Sequence, residues 1–414
     1  MPDPLVSARP TVSAVIATRN RTDVLPEALD SIFAQEGLGR QFDLEVVVVD
    51  DASSDNVAEV VARYSGVRYI RLPVNQGQSA ARNAGIRNSS GQYVAFLDDD
   101  DLWLPQKLAL QVSALEAHPQ AGLVYSQLVI VVEGQRLLFP EGPAPSGSLF
   151  RRLLFVNLCG NPGVPLVRRD ALEKVGGFSE DVSGVEDYDL WLRLSYSVPF
   201  IYVPGAVAVY RQAREGHMLT GLRSGKYDRT LTMVIERALA RVPDTDETST
   251  LKRQVRANRE LRIAALLEDE AVAWVRLRAG IAMWPELALN PANRLSIATI
   301  IAAQAMSAAS PLDTTKRLWS EINEVQRRPG RAERTAMRDL LAEAYWRAGV
   351  VYGKGIGRPA DAAAAARAIL RSILLRPVAP RRWRALLGFA VRTVGGVTGP
   401  DRVGATKGEC GRWD

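Results

Sequence analysis

Between residues 11 and 132, short apolar runs alternate strictly with helical stripes, and few folds accept that order. The runs cover residues 11–17, 44–49, 67–72, 93–97 and 123–132, and they are rich in Val, Ile and Tyr. Such runs read as strands. Between them lie Val24, Leu25, Ala28, Leu29, Ile32 and Phe33, then Val57, Val60, Val61 and Tyr64, then residues 79–88, then Leu104, Leu108, Val112 and Leu115. Each set has helical spacing. Strands that are apolar on both sides belong to a parallel sheet with helices on both faces. The expected class is therefore α/β.

Polar residues gather where the strands end. Thr18 and Asn20 follow the first, Asp50 and Asp51 the second, and Asp98-Asp99-Asp100-Asp101 the fourth. In open α/β sheets the C-terminal strand edge is where ligands bind. Four adjacent carboxylates repel one another unless a cation sits among them. A hard divalent ion on one or two carboxylates and substrate phosphates would answer that need; a solvated acidic turn is the alternative. Neither G-x-G-x-x-G nor G-x-x-x-x-G-K-[ST] is present, so a phosphate ligand would be held by metal and side chains. Arg82 is a candidate for that contact, because its planar fork matches oxygen pairs. Locally, Ser53 or Ser54 is expected to cap the second helix. Trp103 and Pro105 are expected to open the fourth, with Asp101 as its cap.

Residues 12–21 (VSAVIATRNR), 46–55 (VVVVDDASSD), 75–85 (NQGQSAARNAG), 96–105 (FLDDDDLWLP) and Gly176-Gly177-Phe178 followed by residues 186–193 (EDYDLWLR) occur in that order. Together they resemble family 2 glycosyltransferases of the GT-A fold over roughly residues 10–215. The resemblance implies transfer of a sugar from a nucleotide-diphosphate donor, UDP-type, to a hydroxyl acceptor with inversion. Thr18 and Asp51 would contact the nucleoside, with Asn20 and Asp99 beside them in the donor site. Arg82 would lie near the diphosphate. Asp98 and Asp100 would hold Mn²⁺ or Mg²⁺, and Asp187 would be the catalytic base. The segment Ala17-Thr18-Arg19-Asn20 departs from the family's more usual Pro and aromatic, which bears on how the nucleoside stacks. The Gln-x-x-Arg-Trp motif of processive synthases is absent, so one sugar per encounter is expected. His217 falls where relatives often carry a His; a surface His is the alternative.

At 414 residues the chain is expected to hold more than one domain. The expected division is a GT-A catalytic domain over 1–242, an all-α region over 243–397 and a flexible tail over 398–414. The break is the polar stretch 243–250. Tetratricopeptide-like hairpins are the suggested outline of the second part. Net charge is +6. Residues 1–215 carry 19 Lys and Arg against 26 Asp and Glu, and residues 216–414 carry 33 against 20. The basic half, with Arg376, Arg381, Arg382 and Arg384 around Trp383, could meet an anionic membrane surface; a solvated helical face is the alternative. Two cysteines, Cys159 and Cys410, form no framework of the disulfide or zinc kind. The run 295–308 falls short of a membrane span. These features point to a cytoplasmic enzyme, peripheral to the inner membrane face if the basic half binds it. The acceptor would be a glycan, a lipid-linked or a small-molecule hydroxyl, as in cell-surface glycan or glycoconjugate synthesis, with no nucleic-acid partner. A degenerate transferase domain serving as scaffold and a nucleotidyltransferase are the competing classes.

Overall fold

The computed structural model describes residues 9–284, apart from 133–134, 141, 212–219, 222–223, 265 and 268–269. The chain divides into two compact units, Met1–Val255 and Arg256–Asp414. The first is organised by one sheet. Its described strands are β1 (Thr11–Thr18), β2 (Asp43–Asp50), β3 (Val67–Arg71), β4 (Tyr93–Asp98), β5 (Leu102–Trp103), β6 (Leu123–Val132), β7 (Gln135–Phe139), β8 (Leu166–Arg168) and β9 (Phe200–Arg211). They lie in the order β3-β2-β1-β4-β8-β6-β9-β5, with β7 on β6.

The left half is parallel. β1 pairs β2 from Thr11 opposite Asp43 to Thr18 opposite Asp50, and β4 lies on its other side with Asp98 opposite Ala17. Consecutive residues Val46, Val47, Val48 and Val49 are all buried, and so are Val94, Ala95, Phe96 and Leu97. Successive strand side chains point to opposite faces, so both faces are covered. Helix α1 (Leu25–Phe33) buries Leu25, Ala28, Leu29 and Ile32, the spacing read from the sequence. Helix α3 (Gln78–Arg87) buries small residues. Its Ala81 and Ala84 pack on Val47 and Val49. A side chain on Gly85 would stand 2.3 Å from Val15 Cγ1, so only glycine lets this helix approach β1 so closely.

The right half departs from a parallel sheet. β8 runs antiparallel to both β4 and β6, β7 is antiparallel to β6, and β5 to β9, while β9 is parallel to β6. The β6–β9 register shifts around Gln127, where Gly205 N donates to Gln127 Oε1 at 3.1 Å. Beyond that shift, Ala208 and Val209 of β9 also pair with Trp103 and Leu102.

Two local expectations are corrected. Trp103 opens no helix: Leu102–Trp103 is a strand, and α4 (Lys107–Ala117) begins four residues after Trp103. Asp101 is therefore no helix cap, and its side chain has other partners described below. Helix α2 (Val57–Val61) is capped by Asn56, whose side chain accepts from Glu59 N. Ser53 and Ser54 bond Asn20 instead.

The remaining helices of the first unit are α5 (Phe150–Leu153), α6 (Arg169–Val175), α7 (Glu186–Ser197) and α8 (Lys226–Leu239). Helix α9 (Asp246–Ala264) begins inside the polar stretch 243–250 and runs past the division between the units. In the second unit its Glu260 is ion-paired with Arg259 and with Arg276 of α10 (Glu270–Met283). No described helix is long and apolar enough to cross a membrane. His217, the run 295–308, the part of the suggested helical hairpins beyond residue 284, the Arg376–Arg384 cluster, Cys410 and the tail 398–414 lie outside the described residues.

Candidate active site

The parallel register puts Thr18, Asp50 and Asp98 side by side at the C-terminal edge of β1, β2 and β4. Thr18 Oγ1 donates to Asp99 Oδ2 at 2.7 Å, which closes β1 onto the tetrad. Asn20 has φ 56°, a left-handed conformation that Asn tolerates better than most. Its amide donates to Ser53 Oγ at 3.0 Å, and its Oδ1 accepts from Ser54 N at 2.7 Å. The turns after β1 and β2 are thereby stapled together. Asp50 and Asp51 face different duties. Asp50 is buried and accepts from Ser53 N, the Tyr69 hydroxyl and Arg71. Burial would raise its pKa, but those three partners hold it below the ordinary carboxylate value. Asp51 accepts from Gln76 N at 2.7 Å and Gly77 N at 2.8 Å, so it fixes the turn that enters α3.

The four acids of the tetrad separate into different environments. Asp98 Oδ1 accepts from Arg82 Nη2 at 2.6 Å. Burial pushes Asp99 up to about 7; the Thr18 hydroxyl opposes this, and Asp100 and Asp98 add to it. Asp100 is raised by burial and then by Asp98, while Arg21, 3.7 Å away, opposes. Asp101 is 1% exposed and is raised well above the ordinary value by burial first and Asp98 next. It accepts from Arg211 N at 3.0 Å and from Asn161 Nδ2 at 2.5 Å. It thus ties the tetrad to the end of β9 and to the turn before β8.

Arg82 is 2% exposed. Its Nη1 donates to Glu186 Oε1 at 3.1 Å, and its guanidinium stands 5.2 Å from the Phe178 ring centre. Burial alone would lower its pKa, but Asp98 and Glu186 together raise it above the ordinary value. Beside Glu186, Asp187 lies in the first turn of α7. Its Oδ1 accepts from Tyr188 N at 2.7 Å, and Asn157 Nδ2 donates to its Oδ2 at 3.4 Å. Burial, then the charge of Glu186, pushes its carboxyl up to about 7, and Asp98 contributes to the rise. Cys159 is fully buried, and burial holds its thiol well above the ordinary value, so it is no nucleophile.

The structure brings together Thr18, Arg82, Asp98, Asp99, Asp100 and Asp187; Asn20 and Asp51 build the adjoining turns. It adds residues that spacing alone did not single out: Arg21 beside Asp100, Asn157 beside Asp187, and the pair Asn161 and Arg211 on Asp101. Arg21 follows β1 and Arg211 ends β9, so strand-end position was a signal for those two; Asn157 and Asn161 lie in the turn between α5 and β8, which no strand end marks.

The donor set suits a hard cation shared with phosphate oxygens. Asp99 and Asp100 are both raised, first by burial and then by the neighbouring carboxylates, so a cation placed among them would meet groups that are costly to ionise alone. Among the described residues no cluster of three His, Cys, Asp or Glu could enclose a metal by protein ligands alone. Mg²⁺-type ions bound through one or two carboxylates plus substrate phosphates need no such cluster.

Residues 13–176 match the family described as "Glycosyl transferase family 2". A Haemophilus influenzae protein called an uncharacterized glycosyltransferase is 29% identical over 184 residues, 44% of this chain and 61% of that protein. The succinoglycan biosynthesis protein ExoO of Rhizobium meliloti is 36% identical over 144 residues, 34% of this chain and 40% of that one. The chain thus spans less than two thirds of the length of either relative. A mannosyltransferase from Pyrobaculum calidifontis, solved with GDP-Man and Mn²⁺, superposes with a TM-score of 0.48 at 21% identity, covering 77% of this chain and 88% of that one. Over residues 13–176, less than half of its length, the chain is similar to glycosyl transferase family 2.

Proposed function

We propose that the chain is an inverting, metal-dependent glycosyltransferase that moves a sugar from a nucleotide-diphosphate donor, UDP-type, to a hydroxyl acceptor. The observation that carries this reading is the convergence of two distant motifs. Asp98, at the end of β4, and Glu186, next to Asp187, share one buried guanidinium, and the charge of Asp98 is felt at Asp187.

Thr18, Asn20 and Asp51 shape the nucleoside end of the edge, and Asp99 closes it against Thr18. Asp98 and Asp100 would hold Mn²⁺ or Mg²⁺. When bound, that ion would neutralise charge developing on the departing diphosphate. Arg21 adds a cation on the same side, next to Asp100. Asp187 takes the proton of the attacking hydroxyl. A carboxylate with a pKa of about 7 is well matched to that step near neutral pH. Asn157 steadies its outer oxygen. One base, Asp187, taking the proton of the attacking hydroxyl supports a single direct displacement, hence inversion. The name of the succinoglycan relative supports cell-surface polysaccharide or glycoconjugate synthesis as the setting. A cytoplasmic location, where sugar nucleotides are made, follows from the donor class.

The test is release of nucleoside diphosphate from a panel of UDP- and GDP-sugars with Mn²⁺ or Mg²⁺. Metal-dependent release by the wild type, lost in Asp100→Ala, is expected. Equal release in the presence of chelator would remove the metal from the reading.

A further inference from the structure

Arg82 has a set of partners that a diphosphate contact does not require. It is 2% exposed, and both arms of its guanidinium are committed. Nη2 donates to Asp98 Oδ1 at 2.6 Å and reaches Gln78 Oε1 at 3.3 Å; Nη1 donates to Glu186 Oε1 at 3.1 Å. The face of the group lies against Phe178. Its neighbour Asn83 bonds the Phe178 backbone in both directions, each at 2.9 Å. A side chain on Gly177 would stand 2.6 Å from Asn83 Oδ1, so the contact also requires the glycine before Phe178. The other oxygen of Glu186 accepts from Gly184 N at 2.6 Å, which fixes the turn entering α7.

We propose that Arg82 is a positioning residue that couples the metal-holding carboxylate Asp98 to the helix bearing Asp187, and that Glu186 is the receiving end of this coupling. The inference rests on the donor and base assignments proposed above. One planar fork spans two carboxylates from segments far apart in sequence, each from its own nitrogen, whereas a lysine would have to meet both from a single atom. Asp98 then keeps its Oδ2 uncommitted to Arg82 and free for the cation. Anything that draws Asp98 toward a bound donor pulls on the same guanidinium that sets Glu186 and the first turn of α7. The base is therefore aligned by the site that holds the leaving group.

The experiment separates binding from turnover in Glu186→Gln, Arg82→Lys and the double variant. UDP and GDP with Mn²⁺ are the binding probes, and nucleoside diphosphate release at saturating sugar nucleotide is the turnover. Glu186→Gln and Arg82→Lys are each expected to bind nucleotide within about three-fold of wild type and to turn over at least about ten-fold slower. The double variant is expected to be no slower than the slower single one, because both changes break one link. Weakened nucleotide binding with unchanged saturated turnover in Arg82→Lys would overturn the proposal in favour of direct phosphate contact, and so would multiplicative losses in the double variant. A second readout needs no activity. Urea midpoints of Asp98→Asn, Glu186→Gln and their combination should be non-additive, since both carboxylates share Arg82; additive shifts would overturn the coupling. If the wild type binds neither nucleotide, the proposed function fails while this unfolding cycle still decides the coupling.

Discussion

The two halves of the sheet are built by different means. In the β3-β2-β1-β4 half, parallel ladders set the positions of Thr18, Asp50 and Asp98, and buried valines on both faces lock the register. In the β8-β6-β9-β5 half, antiparallel pairs flank a parallel β6–β9 ladder whose register shifts, and side-chain bonds fasten the turns around it. Asn157 closes its own turn on Cys159 N and Gly160 O. Asn161 is held by Asp101, and Val164 O accepts from both Lys107 Nζ and Gln111 Nε2. A main-chain ladder tolerates surface change, because a slip by one residue would turn every buried side chain outward. A cluster of side-chain bonds changes with each member. The proposed donor edge is thus the fixed part of the site; the side around Asp187, Asn157 and Asn161, which we take as the acceptor wall, is the part that single substitutions can reshape.

The sharpest way to break this comparison is to remove function from one side only. Chelation of the metal should bring sugar-nucleotide turnover to background while the fold persists, because the fixed half needs no ion to form its ladders; far-ultraviolet circular dichroism and product release together check this. Asp187→Asn should next lower turnover by about 10²–10⁴-fold, the usual contribution of a general base. Nucleotide affinity, measured by calorimetry, should stay near wild type, since Asp187 belongs to the opposite wall. A variant that lost nucleotide binding as well would mean the two walls are not separable.

The third prediction concerns the fixed half itself. Gly85→Ala places a methyl group 2.3 Å from Val15 Cγ1 between α3 and β1. Overpacking of this kind costs about 1–3 kcal/mol. Urea unfolding should show that loss, and Arg82 and Asn83, on the same helix, should shift with it. An unchanged midpoint would show that the half is softer than its packing suggests.

The same contrast governs what the sequence revealed. Strand ends were legible because apolar runs stop abruptly at Thr18, Asp50 and Asp98, and the burial of the runs follows from their composition. What those ends touch was not. The Thr18–Asp99 bond depends on β1 pairing β4, a contact between residues far apart in the chain. Trp103 looked helical because nothing local marks a two-residue strand; β9 makes Leu102–Trp103 one by pairing across from residues 208 and 209. Asp101 likewise has the chemistry of a cap, but Arg211 and Asn161 occupy its oxygens. Asn56 displaced Ser53 and Ser54 as the cap of α2 because Asn20, held in a left-handed turn, had already engaged both serines.

The smallest predicted effect tests whether the acceptor wall carries the electrostatic strain assigned to Asp187. Its folded pKa of about 7 stands above the ordinary 3.8, mainly through burial and then Glu186. A carboxyl raised in the folded state binds its proton more tightly there than in the unfolded chain. Its contribution to stability is therefore present below the unfolded value and lost as pH rises through the folded one. Asn imitates the protonated acid at every pH. In metal-free buffer, Asp187→Asn and wild type should differ least in unfolding temperature near pH 4, close to the ordinary carboxylate value. At pH 8 the variant should be the more stable of the two, by roughly 2–4 °C for each kcal/mol of charge burial relieved. The gap should widen between the ordinary value of 3.8 and about 7 and level off above that, and Asp99, also raised to about 7, is unchanged in both proteins and cancels from the difference. A difference that does not vary between pH 5 and 8 would place the Asp187 carboxylate in solvent, and the wall opposite the tetrad would then lack its tuned base.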